Sequence, residues 1–495
     1  MPVKIAQGEK GVSADHYLAV KAGIEILEQG GNAFDAAIAV SSVLSVVQPQ
    51  MGGPGGDGFL LGFLDQDVIA YSSSGRSPSG FNPERFIQEK PVTGPLTVTV
   101  PGLVYLWGMV NEEYGTLPLS TLLKPAISLA YNGFRAGWFL ASSVKARRDI
   151  LSNYKWAKYY MGLSHGDLVV NRDAGRTLRI IATRGWDEFY HGKLAEELVS
   201  ELQEQGVDLG LEDFMEHEGF RVTPLKLELD GRTFYELPPN SQGITTLNLI
   251  TALHELGLDR YGFNAPQRIL AWSEPVEKSY LFRDNFIGDP DYMVVNPYEY
   301  TRYEKIKDVK TFATEGLGGG DTTFFIVSDG EAVVGFIQSL FHPFGSGLMM
   351  GGFPVQNRGI GFAKTKGLPN SPAPKKLPLH TLSILGIDTG EDKYIIGCVG
   401  GDYRPQLHLR VYENLFIYNM NLAEALDAPR FIYTKPYVKQ TVEVEPPLNT
   451  VETDRISSVL TRPYGTHGHV HVAIKKKGYV VLGNDPRSEG IAIAL

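Results

Sequence analysis

Cysteine is all but missing from this chain: Cys398 is the only one in 495 residues. A disulfide within the chain and a cysteine-based metal cluster are both excluded. Cys398 itself, in Ile395-Ile396-Gly397-Cys398-Val399, reads as a small buried apolar residue. Long apolar runs are missing too. The longest, residues 33–47, is broken by Asp35, Ser41, Ser42 and Ser45 and stops before Pro49, too short to span a bilayer. The start, Met1-Pro2-Val3-Lys4-Ile5-Ala6-Gln7-Gly8, has no apolar leader core and no small-residue cleavage site after one, so a cytoplasmic location is expected. A basic excess is the third absence. With 46 Lys and Arg against 56 Asp and Glu, the net charge of -10 supplies no cationic surface for nucleic acid or an anionic membrane. A small-molecule substrate is the expected partner.

What is present, 43% hydrophobic and 21% charged residues, is the composition of a soluble globular protein. The length leaves room for about three average domains or one larger fold. Ser13 is placed to cap a helix in which Tyr17, Val20, Ile24 and Leu27 recur at helical spacing until Gly30-Gly31. Asn32 caps a second helix, 33–47, apolar nearly all round and therefore buried. The glycine-rich run 52–58 lacks the Gly-Lys-Ser/Thr ending of a phosphate loop and reads as a tight turn into a strand at 59–63. Residues 102–204 look mainly helical, most clearly at 119–131 and 194–204, and 219–236 alternate as strands do. A helical pattern returns at 264–286, and 305–321 reads as a polar, glycine-bearing linker. Beyond it strands are expected at 382–386, 393–399, 470–475 and 480–482, with a loop over 363–378 and a helix near 422–426. No internal repeat interrupts this order, and strands interleaved with helices predict helix layered on sheet.

The run Gly316-Leu317-Gly318-Gly319-Gly320-Asp321-Thr322-Thr323-Phe324 is the stretch with most chemical content. A hydroxyl preceded by mobile backbone and followed by a buried strand is what self-cleavage needs, because the hydroxyl must reach its own preceding carbonyl. Breaking that bond makes Thr322 an N-terminal threonine, whose amine serves as the general base for its own hydroxyl. Apolar runs at 324–327 and 332–337 flank Asp329-Gly330, the signature of a hairpin. A two-residue turn there sets Thr322 opposite Ile337 and makes Ser339 its diagonal neighbour on the same face. Both faces are apolar, which predicts a sheet covered on both sides. From spacing alone, a buried hairpin with two incidental hydroxyls stands beside this reading.

Other residues carry chemistry less specifically. Arg76, in Ser72-Ser73-Ser74-Gly75-Arg76-Ser77-Pro78, follows a strand and could clamp a carboxylate through two parallel hydrogen bonds, or be a solvated loop arginine. Gly400-Gly401-Asp402 ends the strand 393–399, where backbone amides can face an oxyanion, or simply turn the chain. His467, His469 and His471 alternate and would share one strand face. Convergence on zinc is conceivable, but no paired acidic residues lie nearby in sequence and a solvated face explains the three as well. His380 reads as a hydrogen-bonded structural histidine.

Taken together, the motifs resemble those of the gamma-glutamyltranspeptidase family of N-terminal nucleophile hydrolases over nearly the full chain. The matching segments include Gly30-Gly31-Asn32-Ala33-Phe34-Asp35, Val100-Pro101-Gly102, Leu237-Pro238-Pro239-Asn240-Ser241-Gln242-Gly243, Gly288-Asp289-Pro290, Asp321-Thr322-Thr323, Phe344-Gly345-Ser346-Gly347, Ala428-Pro429-Arg430 and Asp485-Pro486-Arg487. The resemblance implies an α/β fold, a four-layer αββα sandwich, made as one precursor that cuts itself between Asp321 and Thr322. A large segment, 1–321, and a small one, 322–495, would then associate as one composite domain. It also implies that Thr322 is the nucleophile, Ser339 its supporting hydroxyl, Gly400 and Gly401 the oxyanion hole, and Arg76 the holder of the glutamyl α-carboxylate. No metal or organic cofactor is required, and glutathione metabolism is the expected setting. Gly361, in Gln356-Asn357-Arg358-Gly359-Ile360-Gly361-Phe362, stands where the family has an aspartate for the substrate amine. Pro378 and Leu379 replace a serine pair, and Phe341 a common asparagine. These departures make the chain similar to a transpeptidase-like branch and leave three expectations: a γ-glutamyl hydrolase or transferase, an acylase on glutaryl-like amides, and an unprocessed carboxylate-binding protein.

Overall fold

The strands that organise the chain are short, and most are apolar on both faces. The computed structural model describes residues 3–152, 155, 157–310, 320–437, 439–465 and 468–495. The glycine run 316–319, most of the expected 305–321 linker and His467 lie outside them. In chain order the strands of the two large sheets begin with β1 (Lys4–Gly8), β2 (Gly11–Ala14), β3 (Asp57–Leu64), β4 (Asp67–Ser73), β5 (Phe220–Arg221), β6 (Leu225–Leu229) and β7 (Arg232–Glu236). They continue with β8 (Asp321–Ser328), β9 (Ala332–Phe341), β10 (Leu385–Asp388), β11 (Lys393–Val399), β12 (His469–Lys476), β13 (Tyr479–Asn484) and β14 (Ile491–Ala494). One antiparallel sheet runs β14-β2-β8-β9-β3-β4-β5 and the other β1-β13-β12-β11-β10-β7-β6.

Strand alternation divides the apolar residues between two faces. In β8 and β9, Phe325, Val327, Val334 and Phe336 pack outward against helices α1 (Tyr17–Glu28), α2 (Ala33–Val47) and α3 (Leu103–Tyr114). Phe324, Ile326, Val333 and Ile337 pack inward, against Ile384, Ile395 and Leu482 of the facing sheet. On that sheet's far side, Ile396, Cys398 and Val472 meet α4 (Gly243–Glu255), α5 (Ser273–Phe286) and α6 (Arg404–Tyr412). Three apolar layers thus separate four layers of structure, the αββα sandwich. No helix among the described residues is long and apolar enough to cross a membrane.

Two local expectations are corrected. The β8–β9 loop has four residues, not two: Ser328 pairs with Val333, and Asp329 Oδ1 accepts from the amides of Glu331 (2.9 Å) and Ala332 (2.7 Å). The register therefore moves by two residues, which leaves every side chain on its face. Phe324 lies opposite Ile337, and a bulge between Asp321 and Thr323 sets Thr322 against Ser339 and Leu340. Ser339 is consequently a direct neighbour of Thr322, not a diagonal one. The cap of α1 is His16, whose Nδ1 accepts from Leu18 N (3.2 Å), whereas Ser13 belongs to β2. Asn32 caps α2 as expected, in a box with Asp35.

The two sheets approach closely where β8 crosses β11. A Cβ on Gly397 would stand 2.3 Å from the Phe324 ring, so that position leaves room for the ring alone. Phe324→Ala empties this part of the inter-sheet core and is expected to cost about 3–5 kcal/mol. A fall in the urea midpoint measures it, and an unchanged midpoint contradicts the packing described.

Candidate active site

Three polar side chains stand side by side on the inward face of neighbouring strands, at one end of the inter-sheet core. They are Thr322 on β8, Ser339 on β9 and Asp57 on β3, with Ser339 paired to Asp57 across the β3–β9 ladder. Thr322 is only 1% exposed. Its hydroxyl donates to Ser339 Oγ (3.2 Å) and accepts from Arg404 Nη2 (2.8 Å). Ser339 Oγ accepts in turn from the amide of Phe341 (2.8 Å) and from Arg358 Nη2 (3.4 Å). Two buried guanidiniums therefore flank the hydroxyl pair.

Arg404 also fixes the turn between β11 and α6. Its Nε donates to Cys398 O (2.8 Å), and its Nη1 to the carbonyls of Thr381 and Gly401, the latter at 3.3 Å. Gly401 has φ +51°, and a Cβ there would stand 2.1 Å from Gly320 N, so both conformation and contact demand glycine. The Gly400-Gly401 turn is thus pressed against the backbone that leads into Thr322. Gln242 braces it from behind, donating to Gly401 O (2.9 Å) and Thr381 O (2.8 Å), while Arg283 donates to Gln242 Oε1 (2.7 Å) and pairs with Asp402. The segment 237–243 acts as a scaffold for that turn.

Asp57 is enclosed by donors. Its Oδ1 accepts from Gln356 Nε2 (3.0 Å) and the amides of Gly102 (3.1 Å) and Gly75 (3.4 Å). His380 Nδ1 accepts from Leu382 N (3.2 Å), so its Nε2 carries the proton donated to Asp57 Oδ2 (3.0 Å). Arg358 Nε lies 3.8 Å from the same oxygen. Burial pushes the Asp57 carboxyl up to about 7 against the pull of Arg358, Gln356 and the two amides. Burial also lowers Arg358 to about 9, against Asp57 and helped by the like charge of Arg404. His380 stays neutral, held well below 6.5 by burial and then by the two arginines. The Arg358 guanidinium rests 4.4 Å from the centroid of the Phe341 ring, which gives that replacement a structural partner.

Arg76 is placed differently. Its Nη1 donates to Asp289 Oδ2 (2.8 Å) and Lys375 O (3.2 Å), and its Nη2 to Asp291 Oδ2 (3.1 Å). It lines a cavity of about 550 Å³ with Ser74, His217, Asp291, Tyr292 and Lys375, and Thr322 does not line that cavity. Thr322, Ser339 and Gly401 are brought together, and Arg76 is engaged elsewhere. Arg404, Arg358, Asp57 and Gln242 are the residues that sequence reasoning missed. Each lies in or beside a recognised motif, but an arginine in sequence reads as solvated, and burial between sheets that other parts of the chain supply has no local signature. Metal-ligand types do not cluster around Thr322; among the described residues three such groups meet at Asp15, His469 and His471.

The cephalosporin acylase of Bacillus halodurans superposes with a TM-score of 0.86 at 27% identity, over 100% of this chain and 97% of that one. The chain is 31% identical over 516 residues to the glutathione hydrolase-like YwrD proenzyme of Bacillus subtilis (strain 168), covering 98% of each. It is 30% identical over 452 residues to the oxamate amidohydrolase proenzyme of Klebsiella pneumoniae subsp. pneumoniae, covering 85% of this chain and 84% of that one. The stacked sheets are those of an N-terminal nucleophile hydrolase, an enzyme fold. The family profile described as Gamma-glutamyltranspeptidase matches residues 19–495, and the chain belongs to that family.

His217, in the wall of the Arg76 cavity, gives a measurable pH dependence. Burial, and secondarily the charge of Arg76, push it down to about 3, so it is neutral in the folded protein. A folded pKa below the unfolded value near 6.5 makes its contribution complete above that value and lost as pH falls toward 3. The urea midpoint is expected to drop between about pH 7 and about pH 4.5, and to drop less in His217→Gln. Equal drops contradict the assignment.

Proposed function

We propose that Thr322 is both the processing residue and the catalytic nucleophile of an amidase acting on γ-glutamyl or related acyl amides. The supporting observation is its hydroxyl, 3.2 Å from Ser339 Oγ and 2.8 Å from a buried guanidinium, in a bulge beside the Gly400-Gly401 turn. In processing, Thr322 Oγ adds to the Asp321 carbonyl, the peptide C–N bond breaks as nitrogen takes the hydroxyl proton, and water hydrolyses the resulting ester. Segments 1–321 and 322–495 stay interleaved, because β8 and β9 hydrogen-bond to β2 and β3.

In turnover, the freed α-amine takes the proton of Oγ as oxygen attacks the substrate amide. The tetrahedral oxyanion is received by the amides of the Gly400-Gly401 turn, and the amine returns the proton to the leaving nitrogen. Water then hydrolyses the acyl-threonine, or a second amine accepts the acyl group. Arg404 keeps the hydroxyl aimed and stabilises negative charge on Oγ. At Arg76, the exposed Asp291 is the partner that a substrate carboxylate would replace.

A second reading, an acylase on glutaryl-like amides, is favoured by Gly361. A Cβ there would stand 2.5 Å from Leu379 O, and Asn370 locks the contact by donating to Gly361 O (2.7 Å) and accepting from Leu379 N (2.8 Å). Backbone fills the place where the resemblance puts an amine-binding aspartate. The relatives' names cover glutathione, oxamate and cephalosporin, so acyl groups vary within the family.

Comparing kcat/KM for γ-glutamyl and glutaryl p-nitroanilides tests these readings. A lead of γ-glutamyl over glutaryl below about tenfold is expected without the amine clamp, and a lead above about 100-fold contradicts the acylase reading. Thr322→Ala is expected to abolish both activities. Arg404→Met is expected to slow chain cleavage at least about 100-fold, followed on denaturing gels. Normal turnover by Thr322→Ala would overturn the nucleophile assignment.

A further inference from the structure

A second cluster of reactive side chains lies apart from Thr322, where the two sheets meet near the start of α1. Asp15 follows β2 of the Thr322 sheet, and His469 and His471 belong to β12 of the other. All three are buried. His469 and His471 therefore do not form a solvated face, and the acidic partner absent from their neighbourhood in sequence arrives from more than 450 residues away.

We propose that Asp15, His469 and His471 bind a divalent first-row transition cation, with zinc the best match to two imidazoles and a carboxylate. The three ligand atoms lie within 4.8 Å of one another. Both imidazole Nε2 atoms lie close to the same carboxylate oxygen, Asp15 Oδ1, at 2.6 Å for His469 and 2.9 Å for His471. Asp15 Oδ2, equally buried, has no hydrogen-bond partner. A buried carboxylate oxygen left without a partner is the kind of unmet polar atom that a bound ion satisfies. Lys4, which acts electrostatically on Asp15, donates instead to the carbonyls of Ser488 (3.2 Å) and Gly490.

The surroundings are those of a supported ligand set. His471 is fixed from its far side, with Nδ1 at 2.8 Å from Ser13 Oγ, as metal-bound histidines are anchored through their other nitrogen. Gln48 Nε2 donates to the Asp15 carbonyl (3.2 Å), which brings Gln48 Oε1, itself without a partner, to the same place. Glu489, whose carboxyl is raised by burial and feels the charge of Asp15, has an unpartnered Oε1 as well. Imidazole and carboxylate together select zinc and its neighbours over calcium or magnesium, which prefer oxygen alone. The His469 side chain is 11% exposed and gives the ion its path in. A bound ion would cross-link the two sheets and join residues from before and after Thr322.

The test uses the full purified chain, stripped with EDTA and titrated with Co²⁺ and then Zn²⁺. One Co²⁺ per chain, with visible ligand-field bands bleached by Zn²⁺, is expected. His469→Gln and Asp15→Asn are expected to abolish the bands. Ser13→Ala, which removes only the outer anchor of His471, is expected to weaken binding about tenfold while the circular dichroism stays unchanged. Absence of stoichiometric binding by the folded chain, or binding unaltered in His469→Gln, would overturn the proposal and leave a hydrogen-bonded Asp–His pair.

Discussion

The Arg404 guanidinium is the contact on which the arrangement around Thr322 depends. It is buried between the sheets and reaches the end of β11, the 381 segment, the Gly401 turn and the Thr322 hydroxyl at once. Removing a guanidinium from water is expensive unless its donors are met, and here backbone carbonyls and the hydroxyl meet them. The position of the Thr322 hydroxyl is therefore tied to the position of the glycine turn beside it. A second buried guanidinium, Arg358, reaches Ser339 and has Asp57 as its counter-charge. Like charges this close cost free energy, and the neutral state of His380 keeps a third from joining them.

The departures from the family pattern are coupled rather than scattered. Phe341 supplies the aromatic face under Arg358, and Gly361 admits the backbone of Leu379, which Asn370 holds in place. Restoring an aspartate at 361 would drive its Cβ against the Leu379 carbonyl. The Thr322–Ser339 pair and the Gly400-Gly401 turn are kept, while positions to which the family resemblance assigns substrate contacts carry other residues.

Local patterns made much of the fold legible. The capped, mostly apolar α2, the strand at 393–399 and the doubly apolar β8–β9 hairpin follow from Asn32 and from strand alternation, which neighbours in sequence decide. The hairpin register did not follow, because the side chain of Asp329 bonds two successive amides and lengthens the loop. Ser13 resembles a helix cap but is recruited into β2 and bonds His471. At the site, Thr322 and Ser339 were legible because a two-residue error leaves faces unchanged. Arg404, Arg358 and Asp57 were not, since long-range burial alone distinguishes them from solvated charges. The same reason hid Asp15 from the histidines it meets.

An intact-mass spectrum of the denatured, purified protein tests the central claim most directly. Two species matching residues 1–321 and 322–495 are the predicted result, because only cleavage at that bond frees the amine that activates Thr322. A single species near 54.5 kDa, or fragments broken at another bond, would contradict the account.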